Sequence, residues 1–192
     1  MKTVRSYKQT QERHFSAHHM LLEAAEEAFL EAKEKQPGWF NQALVAMTFS
    51  AFAIEAMGNA YGSQLIPEWR DFESANPYAK VRLVAEHLGV SYEEGKEPWA
   101  TLRWLGRFRN SVAHARPESI SNTRFLSQVE RDQQSPFDMP MSEMEKQITI
   151  EGARRAVNAV QQAKKLLYGG LRKDNHQLLL FSDGWSESTE LQ

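Results

Sequence analysis

Apolar residues along the chain recur mostly at intervals of three and four, the spacing of one face of an α-helix. Residues 7–35 carry a broken stripe of this kind. It comprises Phe15, Leu21, Leu22, Ala25, Phe29 and Ala32, with Glu23, Glu26, Glu27, Glu31 and Lys33 opposite. The pattern predicts one long amphipathic helix that Pro37-Gly38 brings to an end. Residues 39–61 are the most apolar segment, with Ala43, Leu44, Met47, Phe49, Phe52, Ile54 and Met57 distributed around nearly the whole circumference. A helix that is apolar on most sides belongs at the centre of a fold. A short third helix is predicted over 77–88, with Asn76 as its N-cap, Pro77 in its first turn and Gly89 as its stop. A fourth begins at Pro98 and is halted before Pro117. Residues 117–140 are loop-rich, with 120–129 expected to be irregular or briefly extended. The last strong stripe, over 149–168, ends at Gly169-Gly170, and Arg154, Arg155, Lys164 and Lys165 read as its solvated face. The expected architecture is an all-α bundle of about five helices in one domain, 1–175. A tail, 176–192, follows; its apolar run Leu178 to Phe181 is expected to pack on the bundle or a partner, and residues from 182 onward to be mobile.

Composition narrows the function. The 192 residues are enough for one substantial core, and the net charge of -2 gives no global attraction to nucleic acid. Any such contact must come from a local patch, and Arg103, Arg107, Arg109 and Arg116 supply one. The chain has no cysteine, which excludes disulfides, thiolate metal sites and a cysteine nucleophile. No segment reads as the roughly 18 apolar residues of a membrane span, and the N-terminus lacks an apolar leader core. The expectation is a cytoplasmic protein with no membrane partner.

Polar residues set inside apolar helices mark candidate chemistry. Glu55 and Asn59 are one turn apart in the most apolar helix, so they share a face. A carboxylate there needs a partner, since an unpaired buried charge is costly. That partner is either a neighbouring helix or an arginine of the basic stretch, and one group could be both. In the fourth helix Leu102, Leu105, Phe108 and Val112 form the core face. At about 100° per residue, Arg103, Arg107, Asn110 and His114 all fall on the opposite side. Arg109 lies roughly 140° from His114 in a straight helix, so the two would face one another only through a bend or a second chain. His14 and His18, four apart in the first predicted helix, have no third ligand of fitting spacing and read as two exposed histidines.

The run Arg109-Asn110-Ser-Val-Ala-His114 resembles the Arg-x4–6-His signature of the HEPN superfamily, all-α domains common among prokaryotic ribonuclease toxins and defence proteins. The phrase Phe52-Ala-Ile-Glu55-Ala-Met-Gly-Asn59 is similar to the second-helix pattern of the same proteins. The resemblance covers residues 39–117 and the remainder only as further helix. It implies a homodimer in which two motifs line one cleft, RNA as substrate, and a cognate antitoxin or other regulatory protein as partner. HEPN toxins paired with a nucleotidyltransferase antitoxin often carry a tyrosine two residues after the histidine. Here that position is Arg116, and the resemblance does not extend to that partnership.

The residue types suit one reaction class in particular. There is no phosphate-cradling glycine loop, no HExxH and no serine elbow, and the aspartates show no pairing expected of a two-metal nuclease. A histidine, arginines and an amide remain. Such a set suits phosphodiester cleavage by the RNA's own 2′-hydroxyl, without metal or cofactor. His114 would move the proton, Arg109 would stabilise charge on the phosphate and Asn110 would position it. Glu55, Asn59 and Arg107 would support them, and Arg103, Arg107 and Arg116 would contact RNA. The other reading is a non-catalytic module that uses the same basic face to bind a nucleotide, RNA or a protein. His near a helix C-terminus is also favoured by the helix dipole alone.

Overall fold

The computed structural model describes residues 6–135, 139–173 and 182–191. Its helices are α1 (Ala17–Lys33), α2 (Trp39–Leu65), α3 (Pro77–His87), α4 (Trp99–Ala113), α5 (Gln128–Gln133), α6 (Glu143–Gln147) and α7 (Ile150–Gly170). A 3-10 turn covers Trp69–Phe72, and strands β1 (Ser6–Phe15) and β2 (Ser182–Leu191) pair with one another. The chain is thus mostly helical, with five substantial helices, two short ones and one antiparallel two-stranded ladder among the described residues.

Helix α2 is the centre: it touches α1, α3, α4 and α7. Ala43, Ala46, Met47, Ala53 and Met57 are completely buried on it. Facing them, α1 offers Ala25, Ala28 and Ala32, and α7 offers Ala153, Ala156, Val160 and Ala163. Small side chains on both partners let helix axes come close. Among the described helices α2 is the one long and apolar enough, by length and composition, to cross a membrane; half of its most apolar stretch is buried in the fold. The expectation that no segment would pass that test is therefore corrected. Its alanines and methionines read as span-like because a helix packed against four others needs the same side chains.

The N-terminal expectation is corrected too. Residues 7–15 are a strand, and the first helix starts only after Ser16. The reason lies in the residues: from Tyr7 to Arg13 all but the first are polar, so a helix there would have no apolar face to bury. Its backbone groups are satisfied instead by β2, in a register from Ser6 opposite Leu191 to Phe15 opposite Ser182. Trp185, directly opposite Glu12, donates its indole N–H to the Glu12 carboxylate at 3.0 Å. The segment expected to be mobile from 182 is thus a strand. The apolar run 178–181 lies outside the described residues.

The other boundaries follow local chemistry. Asn76 caps α3, accepting from the Tyr78 N–H, and Gly89 takes the left-handed φ of +68° that ends it. Thr149 caps α7, which takes in Gly169 and ends at Gly170, where the glycine pair was expected to stop it. Gly170 is held for another reason: a Cβ would come within 2.8 Å of Val90 and 3.0 Å of Leu88. The irregular stretch expected over 120–129 is irregular to Ser127, then turns into α5 through a capping box between Ser127 and Glu130. Ser142 and Glu145 make a second such box at α6.

Candidate functional site

The apolar stripe of α4 fixes how its polar residues are presented. Leu102, Leu105 and Phe108 are fully buried, which turns Arg103, Arg107, Asn110 and His114 outward, and all four are exposed. Arg109, between the two faces, points across to α2. Its Nη2 donates to Glu55 Oε2 at 3.0 Å and its Nη1 to Asn110 Oδ1 at 3.1 Å. Both members of the ion pair are about three-quarters shielded from water. The guanidinium also lies over the Phe52 ring, 6.0 Å from its centre. The Nε–H is buried with no acceptor among the described residues, so the fork is held by its two outer nitrogens.

Residues Glu55, Arg109 and Asn110 therefore form one contiguous group. They line a small notch completed by Asn76, Tyr78 and Gly106. Gly106 is close to the α3 entry: a Cβ there would sit 3.2 Å from the Tyr78 ring. His114 is the C-cap of α4, with φ -116° and ψ 21°, and its N–H donates to the Asn110 carbonyl at 3.0 Å. The helix therefore ends at the histidine itself. Among the described residues its ring has no hydrogen-bond partner, so no side-chain hydrogen bond joins it to Arg109 or Asn110.

The remaining predicted residues divide. Arg103 is ion-paired with Glu94 in the loop before α4, so its charge is already matched. Arg107 and Arg116 are exposed and make no ion pair among the described residues. Asn59 does not join the arginine group; it accepts a hydrogen bond from Lys80 Nζ at 2.9 Å. Among the described residues, the arginines of this face without an ion-pair partner are thus Arg107 and Arg116.

Two expectations about other polar residues are corrected. His18 does not share a helix with His14, and it is completely buried rather than exposed. Arg155 is not merely solvated: it donates to Thr101 Oγ1 at 2.7 Å and Glu97 Oε1 at 3.2 Å, and lies 5.3 Å from the centre of the Trp104 ring. It ties α7 to the start of α4, while Trp104 donates to Gln147 on α6.

No family model, no curated protein and no solved structure matches this chain. The HEPN resemblance rests on its two short patterns alone.

Lys80 is the residue that the sequence reading passed over. It is 3 % exposed, although it ends in an amine. The signal was present: it stands beside Val81, one turn before Val84 and Ala85, inside the apolar stripe of α3.

Proposed function

We propose that the protein is an endoribonuclease of the HEPN type, cleaving RNA without metal by attack of the 2′-hydroxyl on the adjacent phosphate. The observation that carries this reading is the pairing of a fixed arginine with an unengaged histidine at one helix end. Glu55 and Asn110 hold the Arg109 guanidinium, and His114, one turn past Asn110, has no hydrogen-bond partner for its ring among the described residues. A fixed guanidinium gives preorganised donors to an oxyanion, and an imidazole can pass a proton to or from a reacting oxygen.

Arg109 keeps one N–H on each outer nitrogen beyond those given to Glu55 and Asn110. Those N–H groups would meet a phosphate oxygen. Because Glu55 balances its charge, Arg109 acts as an oriented donor, and long-range attraction of the strand falls to Arg107 and Arg116. The spread between Arg109 and His114 supports a composite site in which a second copy of the chain contributes its own motif face. A toxin–antitoxin or antiphage setting, a cytoplasmic location and a regulatory protein partner belong to the same reading and rest on the family resemblance.

The test is RNA cleavage in chelator by wild type and His114→Ala at equal purity, with the oligomeric state of each measured alongside. The expected result is a loss of about 10²- to 10⁴-fold in the variant, with the assembly intact and a 2′,3′-cyclic phosphate on the wild-type product. Cleavage that survives the substitution, or that requires added magnesium, rejects the mechanism. RNA or nucleotide binding without cleavage by either protein would favour the non-catalytic module instead.

A further inference from the structure

On the far side of Glu55 from the α4 motif, a groove of about 650 Å³ opens between α2, the β1–α1 junction at residues 15–17, the 69–72 turn and α3. This is the size of a small-ligand pocket, roughly 300–1,000 Å³. Lys80 and Asn59 form part of its wall, with Ala56, Ala60 and Trp69 as apolar surface. The Lys80 side chain is almost wholly withdrawn from solvent, and its ammonium has one side-chain partner, the Asn59 carbonyl oxygen at 2.9 Å. It makes no ion pair, and its other two N–H bonds have no protein acceptor, among the described residues. An ammonium withdrawn from water keeps N–H donors that call for acceptors. An anion seated beside it would supply them.

The surroundings specify the ligand further. The Asn59 oxygen is taken by Lys80, which leaves its amide N–H₂ as a second donor beside the ammonium. Two carboxylates also line the groove: Glu55, already engaged by Arg109, and the exposed Glu73. Glu73 disfavours a ligand that is anionic throughout and suits one whose far end carries N–H or O–H groups.

We propose that this groove binds a small organic oxyanion, a carboxylate or phosphate monoester. Lys80 and the Asn59 amide hold its anionic head, and its body lies against Ala56, Ala60 and Trp69. The site is separate from the Arg109–His114 chemistry and does not depend on it. Inorganic phosphate and acetate are the probes, titrated separately into the full chain at fixed ionic strength. Binding is read by melting temperature and by the NMR shift of the Asn59 side-chain amide.

In wild type at least one anion should give a saturable shift localised at Asn59. Phosphate alone would assign a phosphate ester, and acetate alone a carboxylate. Lys80→Met should weaken that binding by about tenfold or more, the loss of one charged hydrogen bond. It should also melt higher than wild type without ligand, because N–H donors lacking acceptors have been removed. Asn59→Asp supplies the missing carboxylate from within and should abolish the anion response while raising the ligand-free melting temperature. No saturable response in wild type overturns the proposal. So does a Lys80→Met variant that is less stable yet binds as before, since Lys80 would then serve only to hold α3 on α2.

Discussion

Helix α2 meets polar groups on two sides, and the two sides handle them in opposite ways. Toward α1 and α7, His18 is packed 5.9 Å from the Tyr61 ring and 4.0 Å from that of His19, and neither of its nitrogens has a hydrogen-bond partner among the described residues. Burial pushes it down from 6.5 to about 3, with His19 and Lys164 adding to the effect. Tyr61 is likewise pushed up, to about 12, by burial and then by Tyr168. Both groups are therefore neutral at physiological pH. Toward α3 and α4 the polar groups have partners instead: Arg109 meets Glu55, and Lys80 meets Asn59 beside an open groove. The lesson is that access decides the outcome. On its closed side α2 is flanked by neutralised groups; where it borders the notch and the groove, it is flanked by polar groups held by partners.

The largest expected effect tests the closed side. The folded value of His18 lies below its unfolded one, so on acidification the unfolded chain takes up the proton first. Its contribution is complete above pH 6.5 and is lost as the pH falls toward 3. The slope is about 1.4 kcal/mol per pH unit, or about 2 kcal/mol by pH 5. His18→Leu should flatten that part of the profile, as measured by chemical unfolding from pH 7 to pH 4. An unchanged slope would mean that the protons enter elsewhere, and the contrast between the two sides would go. Lys164, 3.2 Å from the His19 ring, is the neighbouring charge to vary as a control.

A smaller effect is expected where the two sides meet. Trp69 lies against Gly62, and a Cβ at Gly62 would approach its indole carbons to 2.4 Å. Gly62→Ala should cost about 1–3 kcal/mol, the range for forcing a side chain into a filled space. It should also displace the Trp69 wall of the groove, which tryptophan fluorescence together with a thermal melt would show. A neutral result would mean that the indole moves freely, and the groove would then lack a fixed wall.

How much of this was legible depends on the range of the interaction concerned. The core face of α4, the cap of α3 and the start of α7 are set within a turn or two, and the spacing of Leu102, Leu105 and Phe108 or the Asn76-Pro77 pair reads directly. The two capping boxes, Ser127 with Glu130 and Ser142 with Glu145, are equally local and mark α5 and α6 for a reader who looks for them. The β1–β2 pairing is different. Its partners lie at opposite ends of the chain, and both strands are polar enough that no alternation points to a buried face. For the site, the hydrophobic pattern shows that Glu55 needs a partner and that Arg109 turns away from His114. That the partner is Arg109, and that Asn59 turns to Lys80, depends on the packing angles between helices. Those are set by side chains on several elements at once.

The finest test concerns the ion pair itself. Because Glu55 and Arg109 are each about a quarter exposed, solvent screens them, and the pair's worth lies between a surface bridge and a buried one. A double-mutant cycle with Glu55→Gln and Arg109→Gln, followed by urea unfolding, should give a coupling energy of about 1 kcal/mol. Glu55→Gln alone should lower stability by about as much, yet strengthen RNA binding and steepen its salt dependence, because it frees one positive charge on the motif face. That opposite movement of stability and binding separates an arginine held for a ligand from one held for the fold. If stability falls and RNA binding does not change, Glu55 serves to dock α4 on α2. Arg109 would then belong with His18, as a group the fold has closed away from any ligand.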